Sequence, residues 1–418
     1  MRNLFRRTLQ IALPLGVLLL AQACNLGSAG PILTDTPGGD VASTQAALGD
    51  STAIPVAQDT ATQTPIPITP TATITPTATI TPTLVTVVYP VGPTGFAVDI
   101  NPLTGLRVSD PEILNRRPMT VKVPNFPRTA RPQAGLSSAD ILIETYTEAG
   151  STRFIAMFYS QEATKIGPIR SARIIDTRII PHYDAILVHV QAFETVWDVI
   201  RETGITNINE NPAGCPVICR DPNEPEGVNS AFTNTIELTK YAKRVGMITG
   251  RPNLDGMQFD PNPPAGGKAS SGLWIQFSSA AFAQWKYDPA SGRYLRFSEK
   301  DNTGALIPLD DRITGKQLAI DNLVVMIVPF SHYPPDGPSG GELWDINLNG
   351  SGRAVVFRDG QVIDGQWQST GPAVPFKFVD KNGQLIALRP GSTYIAILGG
   401  YTQGGPTAST EWKFNDYR

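Results

Sequence analysis

The sequence predicts an α+β architecture: a mixed α/β N-terminal domain followed by a mainly-β C-terminal domain, both behind a signal peptide and a Thr/Pro-rich tether. Three observations predict it. Between residues 99 and 260, strand-like and helix-like stretches alternate, as mixed α/β layers require. Beyond residue 273 the apolar period falls to two, and Asp-Gly and Asn-Gly turns recur. Between residues 24 and 98, Thr and Pro dominate and leave nothing to build a packed core. The chain has 418 residues, 41% of them hydrophobic, enough for one or two ordinary cores. Its formal charge of -3 provides no global positive field for a nucleic-acid backbone, so nucleic acid is not an expected partner.

In chain order, Arg2, Arg6 and Arg7 precede an apolar run from Leu9 to Leu20 and then Ala21-Gln22-Ala23-Cys24, the pattern of an export signal over residues 1–23. Cys24 stands where a lipoprotein signal peptidase needs a lipidated cysteine. Ala21-x-Ala23 also suits ordinary cleavage and secretion, and the run is too short to span a bilayer unaided. Lipidation of Cys24 would hold the protein to the outer face of a membrane; ordinary cleavage would release it. The 24–98 segment carries the repeat "ITPTATITPTATITPT" and reads as a stalk. Extended chain advances about 3.1 Å per residue, so a taut stalk reaches on the order of 200 Å.

The 99–260 domain opens on "MTVKVPN" (119–125), read as a strand. "ADILIETYTEAGSTRFIAMFYS" (139–160) reads as two strands around Glu148-Ala149-Gly150. "SARIIDTRIIPHYD" (171–184) predicts a helix with Ser171 as its N-cap, and "AILVHV" (185–190) a buried strand. "FETVWDVIRETG" (193–204) predicts an amphipathic helix closing on Gly204. The stretch "PNPPAGGKASSG" (261–272) reads as a linker. In the 273–418 domain, "WKYDPASGRYLRF", "RAVVFRDGQVIDGQW" and "PFKFVDKNGQLIAL" predict hairpins, and "LVVMIVPF" predicts a buried strand.

Chemistry is sparser than architecture. Cys215 and Cys219 in "CPVIC" are the cysteines left after Cys24 and predict a small disulfide loop in an oxidising compartment. A lone C-x3-C has no second ligand pair, and His182, His189 and His332 lack ligand spacing, so no metal is expected. No nucleotide-binding or serine-nucleophile motif occurs, and no cofactor is expected. His189 within "ILVHVQ" reads as a hydrogen-bonded core residue. Phe357 and Trp367 read as hairpin and core, and Trp344 and Trp367 are sugar-stacking platforms only if exposed.

The stretch "KIGPIRSARIIDTR" (165–178) puts Arg170, Arg173 and Arg178 behind a Gly-Pro break. A helix starting at Ser171 would put Arg170 and Arg173 beside free N–H groups, a combination that attracts anions. The rival account is internal pairing of these arginines with Asp176, Glu144 or Glu148. Glu144 and Glu148 would share a strand face, with Arg153 returning on the partner strand. Two such carboxylates raise glycoside hydrolysis, with Glu144 as acid or base; a cross-strand salt bridge is the simpler account.

The motifs "NPLTGL", "RRPMTVKVPN", "ARPQAGL", "SADILIE", "GSTRF" and "IGPIRSAR", with "NLVVMIV" and "GRAVVFRDGQVIDGQW" further on, resemble the YerB-like family. That family consists of an N-terminal and a C-terminal domain of unknown function (number 3048) and is regarded as bacterial lipoprotein. The resemblance implies a lipoprotein and a site involving Asn125, Arg131, Glu144, Arg153, Arg170, Ser171 and Arg173, without assigning catalysis. One departure is Gln191-Ala192-Phe193, where a turn of small residues is expected. Three functions follow: an envelope-anchored binding or accessory protein whose Arg-rich recess takes an anionic polymer or lipid head group, a hydrolase of cell-wall glycan or attached polymer, or a scaffold whose arginines pair internally.

Overall fold

The central feature of the molecule is a sheet of eleven strands drawn from both halves of the chain. The computed structural model describes residues 87–333 and 343–416. The predicted signal, Cys24 and the stalk up to residue 86 lie outside the described residues.

Five strands come from the first half: β1 (Met119–Pro124), β2 (Ile141–Tyr146), β3 (Thr152–Phe158), β4 (Ile186–His189) and β5 (Asn207–Asn209). They stand in the order β2, β3, β1, β4, β5. β2 and β3 form the expected antiparallel pair around Gly150, whose positive φ of 74° suits glycine. On the other side of β2, the strand Thr393–Gly399 pairs with it in parallel, Ile143 opposite Ile395. The sheet then continues through Asn322–Val328, Gly350–Arg358, Gln361–Ser369 and Lys377–Val379. The two halves are therefore joined by main-chain hydrogen bonds between β2 and Thr393–Gly399.

Side chains alternate across this sheet, so each strand feeds two cores. Leu142 and Val121 face one core, shared with the second sheet of seven strands, where Leu273, Trp285 and Tyr294 are fully sealed. Ile141, Ile143 and Ile155 face the other, against α1 (Ile174–Ile179) and α2 (Glu194–Thr203). The pleat also decides where charges go. Glu144 follows Leu142 toward the second sheet, and Lys122, between Val121 and Val123, points toward α1. The predicted hairpins at 285–297 and 353–367 form as Phe282–Asp288 with Arg293–Glu299 and Gly350–Arg358 with Gln361–Ser369. α2 closes on Gly204 as expected, with φ 64°.

Two expectations are corrected. The helix in "SARIIDTR" begins two residues late: its N-cap is Arg173, because the Asp176 carboxylate accepts the Arg173 main-chain N–H at 2.7 Å and closes that end. Arg170 thus lies in the extended approach, not in a first turn. Glu148 is not on the Glu144 strand face either; β2 ends at Tyr146, Glu148 sits in the turn, and Arg153 stands opposite Thr145. Trp367 is 1% exposed and is core, the reading its hairpin suggests, and the condition for a stacking platform is not met. The 261–272 stretch is partly paired, with Lys268–Ala269 added to Gln361–Ser369.

Candidate functional site

Seven residues expected at one site fall into two clusters on opposite faces of the sheet. The first is built on Glu144. Arg296 reaches it from the strand Arg293–Glu299 at 2.8 Å, both side chains being 1% exposed. Tyr394 donates to the same carboxylate oxygen at 2.8 Å, while Asn125 and Thr152 each donate to the other at 2.8 Å. Gln133 holds Asn125 in turn, donating to its Oδ1 at 3.0 Å. The Arg296 guanidinium also lies against the rings of Phe154, Trp285 and Tyr394. Burial opposes its charge, yet Glu144 and Tyr394 hold the proton on and raise its pKa. Every strong acceptor site of Glu144 is taken. It therefore has no free oxygen to protonate a leaving group or activate water, and the hydrolase role expected of it is not supported by this geometry.

Arg131 belongs to the same structural side. It donates to the Glu299 main-chain oxygen at 2.7 Å and to the Glu299 carboxylate at 2.5 Å, tying the loop after β1 to the second sheet. Burial pushes its pKa down, and Glu299 pulls it back.

The second cluster holds Arg153, Arg170, Ser171 and Arg173. Arg173 donates through Nε to Glu148 at 2.6 Å and through Nη2 to its other oxygen, and stacks over Phe193 at 4.9 Å. Arg153 donates to that same Glu148 carboxylate at 2.9 Å and to the Ser171 main-chain oxygen at 2.7 Å. One carboxylate thus serves two guanidiniums. Burial alone would push Glu148 up, but the hydrogen bond from Arg173 and the charges of Arg153 and Arg173 bring its pKa below the ordinary value. Arg153 shows the shortfall from the other side: burial first, then the Arg173 charge, lowers its pKa to about 9.

Arg170 is the least satisfied member. It is half-buried; among the described residues its guanidinium makes one hydrogen bond, to a neutral amide, Asn229 Oδ1 at 2.9 Å, and its buried Nε has no partner. Asn229 also donates to Glu226 at 2.9 Å, so that carboxylate reaches Arg170 through the amide and by its charge. Burial and the Arg173 charge lower the Arg170 pKa, against the opposing pull of Glu226. Beneath the cluster, Lys122 and Asp176 pair at 2.5 Å with both side chains fully sealed. Sequence reasoning missed Lys122 and Asn229. The first was hidden inside an apolar strand pattern, and the second lies far along the chain.

The remaining expectations are located as follows. Cys215 and Cys219 form a disulfide. His189 is buried; its ring nitrogens meet the Gln191 carbonyl at 2.9 Å and Asn207 Oδ1 at 3.3 Å, and burial lowers its pKa against those two hydrogen bonds. Trp344 stacks on His332 at 4.1 Å. Among the described residues no three His, Cys, Asp or Glu side chains come together as a metal set, and no helix is long and apolar enough to cross a membrane.

A mixed α/β segment and a β-rich segment that complete one sheet, with an arginine cluster on one face, define a two-segment α+β protein. Residues 103–247 match the family described as "Protein of unknown function (DUF3048) N-terminal domain", and residues 273–395 match its C-terminal domain. The chain belongs to this family. It is 30% identical over 302 residues to the protein of Bacillus subtilis (strain 168) named "Putative lipoprotein YerB", covering 71% of this chain and 85% of that one. The crystal structure of the YerB protein from Bacillus subtilis superposes with a TM-score of 0.60 at 28% identity, covering 72% of this chain and 96% of that chain.

Proposed function

We propose that this protein is an extracytoplasmic lipoprotein, held to the membrane through Cys24 and the Thr/Pro stalk, that binds an anionic envelope ligand at Arg170, with Arg153 and Arg173 behind it. The anchoring reading rests on the cysteine at the end of the export signal and on the lipoprotein name carried by its Bacillus subtilis relative. The binding reading rests on one observation above the others. Arg170 is a half-buried guanidinium whose one hydrogen bond among the described residues goes to a neutral amide, in a cluster whose two further arginines share a single carboxylate. A phosphate or carboxylate would supply the missing acceptor and charge, and Arg presents the fork that binds either in bidentate fashion.

The Arg173 N–H is taken by Asp176 and is not offered to a ligand. The site is made of side chains. A second reading, internal scaffolding, applies to Asn125, Arg131 and Glu144, whose partners come from both halves of the chain. The test is titration of the full chain with inorganic phosphate and with phosphatidylglycerol vesicles, comparing wild type with the Arg170→Ala, Arg173→Ala double variant. Binding that weakens with salt and is lost in the variant supports the reading. Equal binding by both proteins removes it. Fatty-acid labelling of wild type but not of Cys24→Ser tests the anchor separately.

A further inference from the structure

We infer that Asp176, with Lys122 as its counter-charge, is a positioning residue for the arginine cluster, aiming the 170–173 segment instead of stabilising the fold. The inference takes its functional meaning from the anion-site reading above. Its structural content stands on the following contacts.

A fully sealed ion pair is weak grounds for stability. Both ions lose their water, and well-packed apolar residues of similar volume often serve the fold equally well. Lys122 and Asp176 are in that situation, each 0% exposed and 2.5 Å apart. Burial pushes the Lys122 pKa down, Asp176 pulls it up, and the nearby Arg153 and Arg173 charges push it down again. Placing a third cation behind two arginines is costly. What the pair does in return is visible in its contacts.

Asp176 uses its two oxygens for different purposes. Oδ1 takes the Lys122 ammonium, and Oδ2 takes the Arg173 main-chain N–H at 2.7 Å. The Arg173 carbonyl accepts the Asp176 N–H at 3.0 Å, so residue 173 is gripped at both its main-chain groups by residue 176. Lys122 supplies the other fixed point through its own backbone: its carbonyl accepts the Arg170 N–H at 2.8 Å. The segment between is laid against the loop after β4, Val190 N–H donating to the Arg170 carbonyl at 3.3 Å and Ala172 N–H to the Gln191 carbonyl at 2.8 Å. Arg170 and Arg173 are therefore referenced to one residue of β1, Arg170 by main chain and Arg173 by the ion pair. Without that second reference the Arg173 N–H has no acceptor, and the backbone that presents the guanidinium to Glu148 is held less firmly. The Glu144 pair lacks this property: it fixes side chains between two sheets and holds no segment of backbone.

Two double variants separate aiming from stabilising. Lys122→Met with Asp176→Leu fills the space with apolar side chains and removes the acceptor for Arg173. Lys122→Met with Asp176→Asn removes both charges but keeps a side-chain oxygen at the cap. The readouts are amide hydrogen exchange along the chain and affinity for inorganic phosphate. In the first variant, exchange at residues 170–173 should speed up roughly tenfold or more, and phosphate affinity should fall by about as much. Exchange in β2 and in Thr393–Gly399 should stay at the wild-type rate. In the second variant, exchange at 170–173 should stay close to wild type. The inference is overturned if the first variant leaves 170–173 unchanged, or if exchange rises equally across the central sheet, since the pair would then be a general stabiliser. If wild type shows no Arg170-dependent phosphate binding, the anion site fails while the exchange result still decides the positioning role.

Discussion

The Glu144 and Glu148 clusters use the same chemistry, a glutamate facing arginine beside one β-hairpin, yet they reach opposite ends. Glu144 is met by one arginine and three neutral donors, and aromatic rings seal the pair. Glu148 is met by two arginines, 20% of its side chain is exposed, and among the described residues the third guanidinium, Arg170, hydrogen-bonds to an amide alone. Composition is thus a poor guide to role. The balance of charge and access to solvent tell a structural ion pair from a site with an unmet need, because a neutralised, sealed pair has nothing left to offer a ligand.

The largest effect should come from the closed cluster. Glu144→Ala leaves the Arg296 guanidinium sealed without its acid and should cost roughly 3–5 kcal/mol in chemical denaturation. Pairing Glu144→Leu with Arg296→Met should restore most of that. A loss under about 1 kcal/mol from the single variant would break the comparison, because the two clusters would then be energetically alike.

Next comes Glu148→Gln, which removes the shared carboxylate from Arg153 and Arg173. Stability should fall by about 1–3 kcal/mol, the usual range for hydrogen bonds to charged groups. Phosphate should bind more tightly, as the internal anion no longer competes for the arginines. No equivalent gain in binding is expected for Glu144→Ala.

Acid titration sharpens the same contrast. The folded pKa of Glu148 is lowered, so its contribution is fully present above the unfolded carboxyl value of about 4.3 and is lost as pH falls through the folded value. Wild-type stability should decline in that acid window, and Glu148→Gln should flatten this part of the decline in denaturation curves measured across pH. A smaller effect is expected from reducing Cys215–Cys219. The loop it closes is much shorter than the 15-residue loop for which chain entropy gives about 3 kcal/mol, so the loss on reduction should fall below that.

The sequence shows the fold more clearly than it shows these roles, for physical reasons. Period-two apolar patterns in 139–160 and the Asp359-Gly360 turn are local signals, and both hairpins form where they stand. The central sheet that unites both halves was not legible, because the β2 pairing with Thr393–Gly399 joins residues far apart in sequence and leaves no local mark. Glu148 as an internal partner of the arginines was among the pairings the sequence offered. Arg296 as the partner of Glu144 was not, since it arrives from another sheet. The late helix start had a readable cause: Asp176 lies three residues after Arg173, the spacing of a reciprocal cap, and it outweighs the serine hydroxyl at 171.

The smallest stability effect and the sharpest functional one belong to the same substitution. Arg170→Ala removes a half-buried side chain with one hydrogen bond and should change stability by no more than about 0.5 kcal/mol, as for a surface substitution. Calorimetric titration of inorganic phosphate into the full chain, wild type against Arg170→Ala at low salt, tests the central claim most directly. The account predicts heat of binding in wild type and none in the equally stable variant. Indistinguishable titrations, with or without binding, would contradict it.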